Sequence, residues 1–324
     1  MKHPTQNRIS YKSVLLFFCL FTCSTSSIWA QQLPNFALFR DNWNIINPAS
    51  LSSDYIFSDN AMSIFATYRN QWSGFEGAPE TAVLNWEYVM DYWNTVVGAS
   101  IIHDQAGEIG NTALFARFGY RLELDRRGDR FINIALNAGV VQYSASLADL
   151  DLGETVLDLA NDLIYYPDFG VGIMYYHDDK YYVGLSVPQT FGLSTTVRRD
   201  DGEFEIERVQ HVYLMGGTYF DVYFFNSDAS YLELAGFLKY VPNAPLAIDV
   251  NARMQMGDVL YVGLGGGLSQ TARVEAGVVI GESVNFNAGQ IRVGASYGIG
   301  LSNYARAFGN SVELHAIYSF DVGR

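Results

Sequence analysis

The stretch Leu246-Ala247-Ile248-Asp249-Val250-Asn251-Ala252-Arg253-Met254-Gln255-Met256 decides the fold. In an extended chain Leu246, Ile248, Val250, Ala252, Met254 and Met256 share one wholly apolar face, while Ala247, Asp249, Asn251, Arg253 and Gln255 share the other, because successive side chains of a strand point to opposite sides. Leu114 to Leu124 repeats the pattern, setting Leu114, Ala116, Phe118, Tyr120, Leu122 and Leu124 against Phe115, Arg117, Gly119, Arg121 and Glu123. Ile132 to Val140 alternates the same way, and Ser311 to Phe320 sets Val312, Leu314, Ala316, Tyr318 and Phe320 against Ser311, Glu313, His315, Ile317 and Ser319.

Alternation alone also suits a soluble sandwich. Three further features favour a membrane barrel. The strands run longer than the usual five or six residues. Tyrosines and tryptophans gather near strand ends, as in Tyr88–Trp93, Tyr175-Tyr176, Tyr181-Tyr182 and Tyr219–Tyr223, where bilayer interfaces favour amphipathic rings. The chain also begins like an exported protein. Lys2, Arg8 and Lys12 precede the apolar run Val14 to Phe21, and Ile28-Trp29-Ala30 ends on a small residue. Residues 1–30 therefore read as a signal peptide, too short in its apolar run to span a bilayer, which takes about 20 residues. After Ala30 no uninterrupted apolar stretch reaches helix-spanning length.

The 324 residues carry 20 Lys+Arg against 34 Asp+Glu, a net charge of −14. The leader holds three basic residues and no acidic one, so its removal takes the net charge to −17. Such an acidic chain is a poor partner for nucleic acid, whose phosphates need clustered Lys and Arg. Both cysteines, Cys19 and Cys23, fall in the leader, leaving an exported chain without disulfides.

The reading is an all-β protein, a transmembrane antiparallel β-barrel of fourteen strands in the cell outer membrane. The strands are expected over 61–69, 79–90, 93–103, 112–124, 131–143, 167–178, 180–188, 210–221, 230–240, 246–256, 259–268, 271–280, 288–298 and 310–320. An even count returns both termini to the periplasm. The odd-numbered connections are then external. The first half obeys, with long segments at 144–166 and 189–209; the second half does so less, being short at Ser269-Gln270 and long at 222–229. Residues 31–60 show no strand pattern and read as an irregular lead, periplasmic or luminal, before a barrel over 61–324.

Site chemistry is mostly absent from the sequence. His103, His177, His211 and His315 are scattered, and no Gly-x-Ser-x-Gly elbow appears. His315 falls on the lumen face as a candidate base, though a solvated pore histidine is the plainer reading. Asp149-Leu150-Asp151-Leu152-Gly153-Glu154 alternates carboxylates but lacks the glycine placement and distal Glu of a calcium loop. The mixed-sign run Arg198 to Arg208 around Asp201-Gly202 reads as an exposed hairpin tip. No catalytic residue, cofactor or metal is expected. Two segments resist dismissal. Arg69-Asn70-Gln71-Trp72-Ser73-Gly74-Phe75-Glu76-Gly77-Ala78-Pro79 places Trp72 and Phe75 among glycines in a connection, either as anchors for a protein partner or as packing inside the barrel mouth. Lys239-Tyr240-Val241-Pro242-Asn243-Ala244-Pro245 is a turn stiffened by Pro242 and Pro245. The candidate partner-binding set is Arg69, Asn70, Gln71, Trp72, Phe75, Pro242 and Pro245.

Those segments carry a resemblance. Phe36-Ala37-Leu38-Phe39 through Asn47-Pro48-Ala49, the Tyr68 to Pro79 run, Pro167-Asp168-Phe169-Gly170-Val171-Gly172, Tyr182 to Gln189, and Leu238 to Pro245 through Asp249 to Arg253 together resemble the PorP/SprF family of outer-membrane proteins of the type IX secretion system of Bacteroidetes. The departure is Ala49-Ser50, where the family often has an aromatic after Asn-Pro-Ala. The resemblance implies a non-enzymatic barrel serving protein secretion, gliding motility or surface display. Implied partners are a secreted cargo protein with a type B C-terminal sorting domain, the secretion-motor ring components, a peptidoglycan-binding lipoprotein and outer-membrane lipid. Two other readings stay open from the residues themselves. A porin or solute channel would suit the polar lumen face of Arg117, Arg121, Glu123, Asp249, Arg253, Arg273, Glu275 and Arg292, which equally suits a closed, paired interior. An outer-membrane hydrolase would use His315.

Overall fold

Strand alternation is realised inside out. Leu114, Phe118, Leu122, Ile134, Leu136, Val250, Leu264 and Leu314 are exposed, while Arg117, Asn133, Glu233, Arg253, Glu275, Arg292 and Glu313 are buried. A soluble sandwich would bury the first set. Only a bilayer makes this polarity favourable, since the lipid takes the apolar faces and the polar ones turn to the lumen.

The computed structural model describes residues 36–74, 76–145, 164–188, 195–199, 202–206, 209–222, 230–257, 259–268, 271–301 and 309–322, with 195–199 and 202–206 described as backbone. Its strands are β1 (Met62–Asn70), β2 (Glu80–Met90), β3 (Thr95–Ala106), β4 (Ile109–Glu123), β5 (Arg130–Ala145), β6 (Ile164–His177), β7 (Tyr181–Val187), β8 (Thr195–Arg199), β9 (Gly202–Ile206), β10 (Val212–Asp221), β11 (Tyr231–Tyr240), β12 (Ala247–Met256), β13 (Leu260–Gly267), β14 (Thr271–Ile280), β15 (Gln290–Gly300) and β16 (Ser311–Phe320). All but β8 and β9 form one closed barrel of fourteen antiparallel strands. Closure is the pairing of β1 with β16, from Met62 opposite Phe320 to Asn70 opposite Val312. Each of the fourteen expected strands corresponds to one barrel strand. β8 and β9 form a separate hairpin at the place where the Asp201-Gly202 signal pointed. It lies in the connection between β7 and β10, which pair directly, with Leu214 opposite Leu185.

Short turns such as Asp91–Asn94 and Asp178–Lys180 gather at one end, the periplasmic one by the rule that outer-membrane barrels keep their short turns there. The opposite, external end carries the β7–β10 connection with its hairpin, the β1–β2 loop and the Val241–Leu246 turn. The Asp149–Glu154 motif, Ser269-Gln270 and most of the 222–229 connection lie outside the described residues.

Residues 36–60 run inside the barrel. They hold two short helices, α1 (Trp43–Ile46) and α2 (Ser53–Ser58). Ser52 caps α2 by accepting a hydrogen bond from the Tyr55 amide at 3.2 Å, and Asp59 ends it in the left-handed region. Between the helices Asn47 is fully buried. Its Oδ1 accepts from the Ala49 amide at 2.9 Å, and its Nδ2 donates to the carbonyls of Ile173 on β6 and Leu185 on β7 at 3.2 and 3.3 Å. That approach needs glycine in the wall, because a Cβ at Gly172 or Gly184 would run into the Asn47 side chain.

Val250 sits near the middle of β12 on the lipid side, exposed at 56%. Val250→Arg is expected to destabilise the barrel by about 2–4 kcal/mol, the cost of a cation on the lipid face near the bilayer midplane. Equilibrium folding into liposomes in a urea series measures this.

Candidate functional site

The lead is joined to the wall through charges taken wholly out of water. Arg253 on β12 is 0% exposed. Its Nη1 and Nη2 donate to the two carboxylate oxygens of Asp41 in the lead, at 2.8 and 2.6 Å, and its Nε donates to Glu275 Oε1 on β14 at 2.5 Å. The guanidinium also lies 4.5 Å from the centre of the Tyr261 ring. Arg40 pairs with Glu233 on β11, Asp54 with Arg292 on β15 at 2.6 Å, and Arg117 with Glu87 across β4 and β2 at 2.5 Å. Glu313 on β16 accepts from the Ala37 and Leu38 amides at 2.6 and 3.1 Å and from Arg69 at 3.1 Å. Burial alone would raise the Asp41 carboxyl. The charge and hydrogen bonds of Arg253, helped by His315 and then by Arg40, override it and hold this group well below the usual carboxylate range.

The lumen is packed as well as paired. At the periplasmic end Phe57 of α2 stacks on Tyr231 at 4.7 Å and meets Tyr219 edge-on at 4.8 Å, while Tyr55 donates to Asp91 at 2.6 Å. Higher up, Phe39 and Trp43 pack against Phe237, with ring centroids 5.7 and 5.3 Å away, and Trp43 Nε1 donates to the Tyr182 hydroxyl at 3.1 Å. Of the eight charged lumen-face residues named from the sequence, Arg117, Arg121, Asp249, Arg253, Arg273, Glu275 and Arg292 are buried and ion-paired, while Glu123 is exposed. His315 departs from the solvated pore histidine expected of it. It is 3% exposed, stacked on Tyr261, with Nε2 2.7 Å from the Tyr261 hydroxyl. The lead excludes water from its surroundings.

Above this plug a cavity of about 250 Å³ faces the external end. Its floor is Phe36, Asn44, Ile45 and Ile46 of the lead, its walls include Asn85, Phe115, Arg117, Asn137, Tyr213 and Phe237, and its rim is formed by Pro188, Val241, Ala244 and Pro245. The rim turn is preformed, with the Ala244 amide donating to the Val241 carbonyl at 3.1 Å and Asn243 in the left-handed region at φ 62°.

The candidate residues fall in three places. Arg69 is buried in the wall and ion-paired to Glu313, because the period of β1 puts it on the same face as Phe65 and Thr67. Asn70, Gln71 and Trp72 lie in the external β1–β2 region. Asn70 donates to Glu80 at 2.9 Å, and the Gln71 amide donates to the Pro79 carbonyl at 2.8 Å. Trp72 is half-buried, its amide donating to Ser311 Oγ at 3.3 Å, and it holds φ at 63°. That conformation costs a bulky residue roughly 1–3 kcal/mol. Phe75 lies outside the described residues. Pro242 and Pro245 are exposed on the β11–β12 turn, and Pro245 lines the cavity. Four strands (β13 to β16) separate β12 from β1 along the shorter arc of the wall, so the two segments are not neighbours in the sheet. Sequence reasoning did not single out Asn44, Asn85 or Asn137. Asn137 was legible as a polar-face residue, but only the seated lead turns these side chains into a cavity.

A family model described as type IX secretion system membrane protein PorP/SprF matches residues 28–318. The chain belongs to the PorP/SprF family. It is a membrane β-barrel of the type IX secretion system, and its closed, apolar-faced fourteen-stranded wall places it in the outer membrane. No curated protein matches the chain. Among solved structures, this PorP/SprF protein is similar to a TodX monoaromatic hydrocarbon channel mutant, at 11% identity and TM-score 0.49 over 86% of this chain and 94% of the other. It is also similar to Omp33 of Acinetobacter baumannii, at 8% identity and TM-score 0.44 over 81% of this chain and 98% of the other.

Removing Asp41 leaves Arg253 paired with Glu275 but strips Nη1 and Nη2 of their acceptors, at about 1–3 kcal/mol per unsatisfied buried group, whereas replacing the whole group by apolar residues is often close to neutral. Asp41→Ala is therefore expected to lower the temperature at which the folded barrel loses its compact electrophoretic migration. The triple variant Asp41→Leu, Arg253→Met, Glu275→Leu should lower it less. The Asp41 contribution is fully present at neutral pH and is withdrawn only as pH falls below about 4, through the depressed native value. The gap between wild type and Asp41→Ala should accordingly hold from pH 7 to pH 5.

Proposed function

We propose that this PorP/SprF protein is a non-enzymatic anchor that holds a secreted cargo protein with a type B C-terminal sorting domain at the external end of the barrel and so helps its export and display. The observation that carries this reading is the plug. Residues 36–60 fill the lumen with paired charges and stacked aromatics, which supports a docking role over the alternative of a porin or solute channel. A closed barrel has no free sheet edge, so partner affinity must reside in its loops, lumen mouth or terminal segments.

Trp72 and the Pro242–Pro245 turn are the external segments assigned to the cargo. The strained backbone of Trp72 favours this, since such strain gathers at functional sites, and the rigid proline turn costs little ordering entropy on binding. The secretion-motor ring components and the peptidoglycan-binding lipoprotein are assigned to the periplasmic end, and gliding motility is a use of the same anchoring. Residues 1–30 are assigned as the export signal.

Affinity capture of the full chain from outer membranes in mild detergent tests the reading. A protein ending in a type B sorting domain is expected with the wild type. It should fall several-fold with Trp72→Ala and with Pro242→Gly/Pro245→Gly, at unchanged barrel assembly. Equal capture by the variants would remove these residues from the site, and capture of no such protein by the wild type would overturn the anchor.

A further inference from the structure

The β4–β5 turn is a basic spot on an acidic chain. Arg126, Arg127 and Arg130 crowd into it, at the periplasmic end. Arg126 and Arg127 are exposed and form no ion pair with any described residue, whereas Arg130 holds Asp125 at 2.8 Å. With Asp129 and His177 these residues line an open hollow of about 390 Å³. The hollow lies on the outer wall. Arg130 has the strand parity of Ile132 and Ile134, and His177 that of Ile173 and Tyr175, the face of β5 and β6 that meets lipid.

Its surroundings fix the level of the bilayer. On the membrane side, the outer face exposes Leu122, Leu124, Ile134 and Ile173, aligned by register with Leu122 opposite Ile132 and Ile134 opposite Ile173. To one side the β2–β3 turn exposes Tyr92 and Trp93, and its Asn94 carbonyl accepts from the Arg121 amide of β4 at 2.7 Å. To the other side the Tyr181 ring meets Tyr175 at 5.9 Å and His177 at 5.1 Å. Tyrosine and tryptophan rings at strand ends sit at the headgroup level. The arginines between them therefore lie where lipid phosphates lie.

The charges select among headgroups. The β6–β7 turn abuts the hollow, its Asp178 amide donating to the Asp129 carbonyl at 2.6 Å, and it adds the exposed Asp178, Asp179 and Lys180. Arg126, Arg127, Arg130 and Lys180 thus stand beside Asp125, Asp129, Asp178 and Asp179, with Asp221 beyond them at the end of β10. Glu123 turns the other way, towards Arg121 at 3.9 Å. A purely anionic headgroup would gain the arginines but face the carboxylates. A choline headgroup has no N–H to give those carboxylates. An ethanolamine headgroup answers both signs, its phosphate accepting from Arg126 and Arg127 and its ammonium donating to Asp129 and Asp178.

We infer that this hollow binds the headgroup of a phosphatidylethanolamine in the periplasmic leaflet, with an acyl chain lying over Leu122, Leu124 and Ile134. The site goes beyond the anchor reading and does not depend on it. Soluble phosphoethanolamine shares the headgroup chemistry, and the contribution of the acyl chain separates the two sources.

The test is native mass spectrometry of the full-length barrel, released from detergent micelles holding equal amounts of dioleoyl phosphatidylethanolamine, phosphatidylcholine and phosphatidylglycerol. Retention of phosphatidylethanolamine is expected to exceed that of either other lipid about fivefold. Arg126→Gln/Arg127→Gln should remove most of that excess and lower phosphatidylglycerol as well. Asp129→Asn/Asp178→Asn, in which asparagine keeps the left-handed backbone of residue 178, should lower phosphatidylethanolamine and raise phosphatidylglycerol, a reversal that a damaged fold would not give. Equal retention of the three lipids, or phosphatidylethanolamine unchanged in both double variants, would overturn the inference. So would displacement of the lipid by an equal concentration of O-phosphoethanolamine, which would assign the hollow to a soluble ligand. Cargo capture is expected to be unchanged in both variants, so failure of this site leaves the anchor standing.

Discussion

A guanidinium sealed inside a protein is costly unless its charge is matched and its N–H groups are bonded, and Arg253 is the point where this barrel meets that demand in full. Its wall partner, Glu275, neutralises one charge but leaves the outer nitrogens without acceptors, and those acceptors are the two oxygens of Asp41, brought in by the lead. Wall and plug are thus incomplete without each other. The same logic recurs along the lumen, where Arg292 waits for Asp54 and Glu313 for the amides of Ala37 and Leu38. A chain with no cysteine beyond residue 23 fixes its interior by such contacts in place of disulfides.

Seating the lead has two consequences for function. It takes the lumen out of use as a wide aqueous path, filling the space from Phe57 at the periplasmic end to Phe36 at the external one. It also supplies the floor of the external cavity, which the wall alone would leave open below. The cavity joins residues from the lead, from at least five strands and from one rigid turn, so its shape reports whether the plug is in place. Docking at the outer rim, as proposed, would share that floor with plug seating.

How much of this was readable from residues alone follows from which signals are local. Strand existence and order were legible, because period-2 alternation with charges on one face and leucines on the other is written into segments such as Leu114–Leu124. The β8–β9 hairpin was legible from Asp201-Gly202. The lead was not. Phe39, Trp43 and Ile46 pack against strands far away in sequence, and no spacing within residues 31–60 says which surface they seek. The same gap explains His315. Its place on the lumen face followed from the strand period, but whether that face is wet depends on the plug. Arg69 shows the limit differently: grouped with Trp72 by proximity, it belongs by parity to the β1 inner face, where Glu313 holds it. The cavity was beyond reach of sequence because Asn44, Asn85 and Asn137 are far apart in the chain and meet only after closure.

The account's central claim is that the seated lead closes the lumen and turns the barrel into a platform. Single-channel recording of the intact chain in planar bilayers addresses it most directly. The prediction is an absence of steady ion conductance in the wild type. A large, stable conductance from the intact, folded barrel would contradict it.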